Sequence, residues 1–76
     1  MQTVDIRLST IEDIRNFVSA VLTFDFEIDL QSGRYLIDAK SIMGIFSLDL
    51  MNPIHLIAHT DNAEALFSKI KPFVVE

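Results

Sequence analysis

The chain of 76 residues contains no cysteine. That excludes a disulfide framework, thiol catalysis and cysteine-ligated metal, and it fits a reducing cytoplasm. Basic residues are few: six Lys and Arg against eleven Asp and Glu, for a net charge of −5. The six are scattered, whereas nucleic-acid phosphates must be met by clustered Lys and Arg. An acidic surface is also repelled by anionic lipid. No apolar run approaches the roughly 20 residues that cross a bilayer. Met1-Gln2-Thr3-Val4-Asp5 lacks the basic and apolar regions of a signal peptide. Repeats, linkers and low-complexity tracts are missing as well. These absences lead to the expectation of one small cytoplasmic domain, without nucleic-acid or membrane binding, whose default partner is another protein or nothing.

Apolar residues are plentiful, at 50% of the chain. A chain this short buries roughly 60–65% of its unfolded surface, enough for a thin core. Thr3-Val4-Asp5-Ile6-Arg7-Leu8 alternates, as a half-buried strand does. Ser9 and Glu12 form an S-x-x-E capping box. Ile11, Ile14, Phe17, Val18 and Val21 then recur at helical spacing, which predicts an amphipathic helix over about residues 10–22. Phe26–Leu30 and Tyr35–Ala39 read as strands joined by the turn Gln31-Ser32-Gly33-Arg34, with Gly33 free to take a positive φ. Ser41 caps a short helix running to about Asp49, and Asn52-Pro53 marks a turn. Ile54–His59 is the fourth strand, with Ile54, Leu56 and Ala58 inward. Asp61 and Glu64 repeat the capping logic ahead of a helix lined by Ala63, Leu66, Phe67 and Ile70, which Pro72 ends.

The order is βαββαβα, an α+β pattern in which every strand has one apolar face. That suits a four-stranded antiparallel sheet with helices on one side. The open face would carry Thr3, Asp5, Arg7, Glu27, Asp29, His55, Ile57 and His59. His55 and His59 share that face but stand about 13 Å apart at strand rise, too far for one metal ion. Asp25, Glu27 and Asp29 offer no closed oxygen cage and read as a solvated acidic face. Gly44 is a lone glycine, not a phosphate loop. Ser9, Ser41 and Ser47 with two histidines do not make a hydrolase in a domain without a deep cleft. No metal or cofactor is expected.

The element order, joined to Ala39-Lys40-Ser41-Ile42-Met43-Gly44-Ile45-Phe46-Ser47-Leu48, resembles the HPr family of phosphocarrier proteins. Members from Gram-positive bacteria carry a near-identical K-S-I-M-G-V-M-S-L segment. The resemblance implies an open-faced β-sandwich with sheet order 1-4-2-3 and three helices on one face. It also implies a place in the sugar-transporting phosphotransferase system. There HPr takes a phosphoryl group from enzyme I on a histidine and passes it to sugar-specific carriers. In Gram-positive species a serine kinase/phosphorylase modifies the serine matching Ser41, and the seryl form serves catabolite repression as corepressor of a transcription regulator. Positions matching Ile42, Met43 and Phe46 meet partner proteins.

This chain departs from the family where the histidine belongs. The family's H-A-R-P motif is matched by Ser9-Thr10-Ile11-Glu12-Asp13, and Thr10, or else Ser9, stands in the histidine's place. A threonine phosphoester is too stable to hand its group on, and Glu12 and Asp13 would repel a phosphoryl charge. The expectation is a regulatory, non-enzymatic paralogue. Ser41 is its phosphorylation site or only a helix cap worth about 1 kcal/mol, two roles that are compatible. Ile42, Met43 and Phe46 form either an exposed docking patch or part of the core. The alternatives are a phosphocarrier using another residue and a plain interaction domain.

Overall fold

The computed structural model describes residues 1–75. Strand β1 (Gln2–Ile6) leads into helix α1 (Ile11–Val21). Strands β2 (Ile28–Ser32) and β3 (Tyr35–Asp38) form a hairpin. Helix α2 (Ile42–Phe46), strand β4 (Ile54–Ala58) and helix α3 (Glu64–Lys69) follow, and a 3₁₀ turn (Lys71–Phe73) ends the ordered elements. The four strands make one antiparallel sheet in the order β1-β4-β2-β3. This is the α+β architecture expected from the element order, with the three helices packed on one side.

The core lies between the sheet and the helices. Ile6, Ile28, Leu30, Ile54, Leu56 and Ala58 supply the sheet's half, all at 1% exposure or less. Ile14, Phe17, Val18 and Val21 supply the stripe of α1. Phe17 sits at the centre, fully buried, and meets the Phe73 ring edge-on at 5.9 Å and 86°. That geometry sets the electropositive ring edge against the electronegative face. The stripe begins one turn later than the spacing suggests. Ile11 is 60% exposed, because a helical side chain leans toward the N-terminus and the residues preceding Ile11, Ser9 and Thr10, are themselves exposed.

The capping box also shifts by one residue. Thr10, not Ser9, is the N-cap of α1. Its Oγ1 accepts the Asp13 N–H at 3.0 Å, and Asp13 Oδ2 accepts the N–H groups of Ser9 and Thr10 at 3.1 and 3.3 Å. The T-x-x-D spacing satisfies this geometry as well as S-x-x-E does, and it wins because Thr10 holds the extended backbone of a cap (φ −125°, ψ 165°). Thr10→Ala should therefore cost about 1 kcal/mol, and Ser9→Ala less than about 0.5 kcal/mol. Urea titrations of the two variants check this, and a larger loss from Ser9→Ala would contradict it.

Other boundaries move for similar local reasons. β2 starts at Ile28 rather than Phe26, where pairing with Ala58 of β4 begins. It runs through Gln31 and Ser32, leaving Gly33 (φ 59°) and Arg34 as the tight turn. Phe24 and Phe26 stay in the preceding loop, their rings 5.5 Å apart. α2 stops at Phe46, and the next two amides (Ser47 to Gly44, Leu48 to Ile45) make the tighter i→i−3 bonds of a closing turn. Asp61 does not cap α3. The amides there are met by Asn62 Oδ1, which takes the Glu64 N–H at 3.1 Å, and by Gln2 Oε1 from β1, which takes that of Ala63 at 3.0 Å. Pro72 falls inside the 3₁₀ turn, past the end of α3.

A candidate modification and docking site at the start of the second helix

Ser41 is the N-cap of α2. It is exposed, and its Oγ accepts the Gly44 N–H at 3.2 Å. Because the oxygen is the acceptor in that bond, the hydroxyl proton is not used in it. Upstream, Asp38 Oδ1 accepts the Lys40 N–H at 2.8 Å and the Ser41 N–H reaches the Asp38 carbonyl at 3.0 Å, so a compact turn presents the serine. Lys40 points the other way. Its half-buried ammonium donates to the carbonyls of Phe24 (2.7 Å) and Phe26 (3.0 Å), tying the α1–β2 loop to the entry of α2. A lysine beside a serine reads in sequence as a free positive charge. Here it is committed to two carbonyls 14 and 16 residues away.

Gly44 is what lets α2 lie close to β3. A Cβ at that position would sit 3.2 Å from both Ile37 Cδ1 and Ser41 Oγ. A side chain there would press on the sheet and on the capping serine together.

The helix divides its apolar residues between two sides. Ile45 and Leu48 are buried in the core, at 0% and 7%. Ile42 is half-buried against the core, while Phe46 and Met43 are 45% and 74% exposed. Met51, beyond the helix, is 82% exposed, a residue the sequence reasoning passed over. Five residues of helix cannot bury an all-apolar surface, so α2 leaves part of it outside.

The N-terminus of α1 carries the other residue of interest. Thr10 is exposed, but its oxygen and the nearby amides are engaged with Asp13. A carboxylate of the chain's own therefore takes the Ser9 and Thr10 amides and sets a negative charge beside the Thr10 hydroxyl, where it would repel an incoming anion.

The histidines stand elsewhere, on the open face of the sheet. His55 donates from Nδ1 to Asp5 Oδ1 and His59 from Nε2 to Asp29 Oδ2, each at 2.7 Å. Each imidazole thus answers an aspartate on a neighbouring strand. Among the described residues no three of His, Cys, Asp and Glu lie together as a metal site would require. No described helix is long and apolar enough to cross a membrane. A surface groove of about 590 Å³ runs between α1 and the 3₁₀ turn past Asn16, Ser19, Lys69 and Phe73, and includes none of Ser41, Met43 and Phe46.

No family model and no curated protein matches the chain. Solved structures do. The crystal structure of HPr-C-His from Thermoanaerobacter tengcongensis superposes with a TM-score of 0.77 at 28% identity, over 95% of this chain and 88% of that one. The crystal structure of a phosphocarrier protein HPr from Bacillus anthracis str. Ames gives 0.72 at 25% identity, over 95% and 93%. The fold is HPr-like along nearly its whole length.

Proposed function

Starting from this HPr-like fold, we propose that the chain is a regulatory protein of the phosphotransferase system, phosphorylated at Ser41 and docking protein partners through Ile42, Met43 and Phe46. It does not carry a phosphoryl group from enzyme I. The observation that supports this reading is the Asp13 carboxylate, which holds the Ser9 and Thr10 amides beside the Thr10 hydroxyl. A phosphoryl group on Thr10 would have to displace a carboxylate hydrogen-bonded to the same backbone, against its charge. The serine kinase/phosphorylase and the transcription regulator are the partners this reading assigns.

At Ser41 the reaction needs only an accessible hydroxyl. Oγ attacks the γ-phosphorus of ATP, the bond to the ADP oxygen breaks, and the hydroxyl proton passes to a base of the kinase. The product adds about −1.5 to −2 charges. Lys40 is held by the Phe24 and Phe26 carbonyls, and Asp38 is itself negative. The new charge therefore faces solvent beside Met43 rather than closing on an internal cation. Such a change alters which partner surface fits while leaving the fold in place.

Incubation with the organism's serine kinase and ATP should add one phosphate by mass spectrometry, and Ser41→Ala should add none. Because Ser41 caps α2, the alanine variant is also expected to lose about 1 kcal/mol of stability, so a melting curve must first show it folded at the assay temperature. A wild-type chain left unmodified would remove this reading. Acid-labile label from enzyme I and phosphoenolpyruvate would instead favour a phosphocarrier using another residue. Partner capture unchanged between Ser41→Ala, Ser41→Asp and wild type would favour a plain interaction domain.

A further inference from the structure

The two edges of the sheet are treated differently. The β1 edge is covered by the chain's own C-terminal segment. Arg7 donates its N–H to the Phe73 carbonyl at 2.8 Å, Val75 donates to that of Asp5 at 2.9 Å, and Ile6 bridges Val74. Among the described residues the β3 edge has no neighbouring strand. Ala39 N–H bonds the Ile28 carbonyl at 2.8 Å, so by antiparallel alternation Tyr35 and Ile37 spend their backbone groups on β2, while Leu36 turns both of its groups outward and Asp38 its N–H, the Asp38 carbonyl taking the Ser41 N–H at 3.0 Å. Edge strands are usually blunted by a central charge, a proline or a bulge. β3 reads Tyr-Leu-Ile-Asp, with Tyr35 and Leu36 at 66% and 59% exposure and charge only at its ends.

Those end charges are complementary under antiparallel self-pairing. Arg34 precedes the strand and Asp38 closes it. Neither belongs to any ion pair among the described residues. Asp38 stands directly opposite Asp29 of β2, and a like-charged pair in that position is destabilising. Asp29 has His59, but Asp38 has only the Lys40 amide on one of its two oxygens.

We propose that β3 pairs antiparallel with β3 of a second copy of this chain, about a two-fold axis at Leu36. Arg34 then faces the partner copy's Asp38 at both ends, Tyr35 faces Ile37, and the two Leu36 residues meet at the centre. All the paired residues fall on matching faces, since each pair sums to the same register. The contact is isologous, joins two four-stranded sheets into one of eight, and keeps the helices of both copies on one side. Each chain carries a net charge of −5, so long-range repulsion opposes association at low salt. Near physiological ionic strength the screening length is about 8 Å, which damps that repulsion more than it damps adjacent Arg–Asp pairs. A four-residue strand pair is small against the roughly 1,200 Å² of stable complexes, which places the dimer in the weak, concentration-dependent class.

Sedimentation equilibrium of the full chain up to about 1 mM, in physiological salt, should show the apparent mass rising toward two chains. Arg34→Asp and Asp38→Arg should each remain single, because each puts like charges at both ends. Mixed one to one they should associate with each other, since every end then pairs opposite charges, and the double reversal should restore self-association. Leu36→Lys, whose backbone role is unchanged, should also remain single, which guards against Asp38→Arg disturbing the turn before α2. A wild-type mass of one chain across the whole range overturns the proposal. So does dimerisation of both single reversals, which would put the contact on another face such as α2, or a mixture that fails to associate while wild type does. Binding of an extended segment from a different protein along β3, without self-association, gives the edge another occupant and likewise overturns it.

Discussion

Phe17→Ala is expected to lower the unfolding free energy by about 3–5 kcal/mol, the largest loss any single truncation should cause here. Phe17 is fully buried in α1 and is the largest side chain in the core. Its removal forfeits the transfer free energy of the ring, leaves a cavity where sheet and helix meet, and breaks the edge-on contact with Phe73. Aromatic pairs of this geometry contribute about 0.5–1.5 kcal/mol beyond their area. A chain of 76 residues has roughly 4–11 kcal/mol of stability in total, so the variant sits near its folding threshold. Each kcal/mol shifts the melting temperature of a domain this size by about 4–8 °C. Thermal unfolding followed by circular dichroism should show a fall of well over 10 °C. A loss below about 1.5 kcal/mol would mean that Phe17 does not fill the centre of the core.

The second large effect is on binding rather than folding. Met43→Ala and Phe46→Ala should each weaken capture of the partner that reads α2 by about tenfold, and the pair together by about a hundredfold. Exposed aromatic and methionine side chains on a docking surface supply its anchors, each worth about 1.4 kcal/mol or more when covered. Met43, at 74% exposure, contributes little to the free protein's stability, so its variant should melt within about 0.5 kcal/mol of wild type. Phe46 is 45% exposed and touches more of the fold, so a modest stability loss accompanies its binding loss. The informative measurement is titration calorimetry with the serine kinase/phosphorylase, or with the transcription regulator and the Ser41-phosphorylated chain. Unchanged affinity in the double variant would take the docking role away from α2.

These two positions illustrate what a one-dimensional reading can reach. Phe17 belongs to the core by its spacing from Ile14, Val18 and Val21, a local periodicity that any amphipathic helix must display. Met43 and Phe46 carry no such statement. Ile42, Met43, Ile45 and Phe46 form an almost continuous apolar turn, and only packing against β3, made close by Gly44, decides which of them face out. The capping box was legible as a region and not to the residue. Ser9 and Thr10 both offer a hydroxyl, Glu12 and Asp13 both offer a carboxylate, and backbone torsion chooses between them.

By itself the sequence determined the order of elements, the inward face of each strand, the absence of thiol chemistry and the acidic surface. All of these follow from residue type and short-range period, which act wherever the chain goes. It also contained the Ala39–Leu48 segment that carries the resemblance, and a threonine at position 10. Only the tertiary structure decided the rest. Lys40 is committed to two distant carbonyls, Asp13 takes the Ser9 and Thr10 amides, the histidines answer Asp5 and Asp29, and β3 lies at the sheet's edge with end charges that enter no ion pair among the described residues. Each of these depends on which segments the sheet brings side by side, and cross-strand distance is set by topology and register, not by separation along the chain.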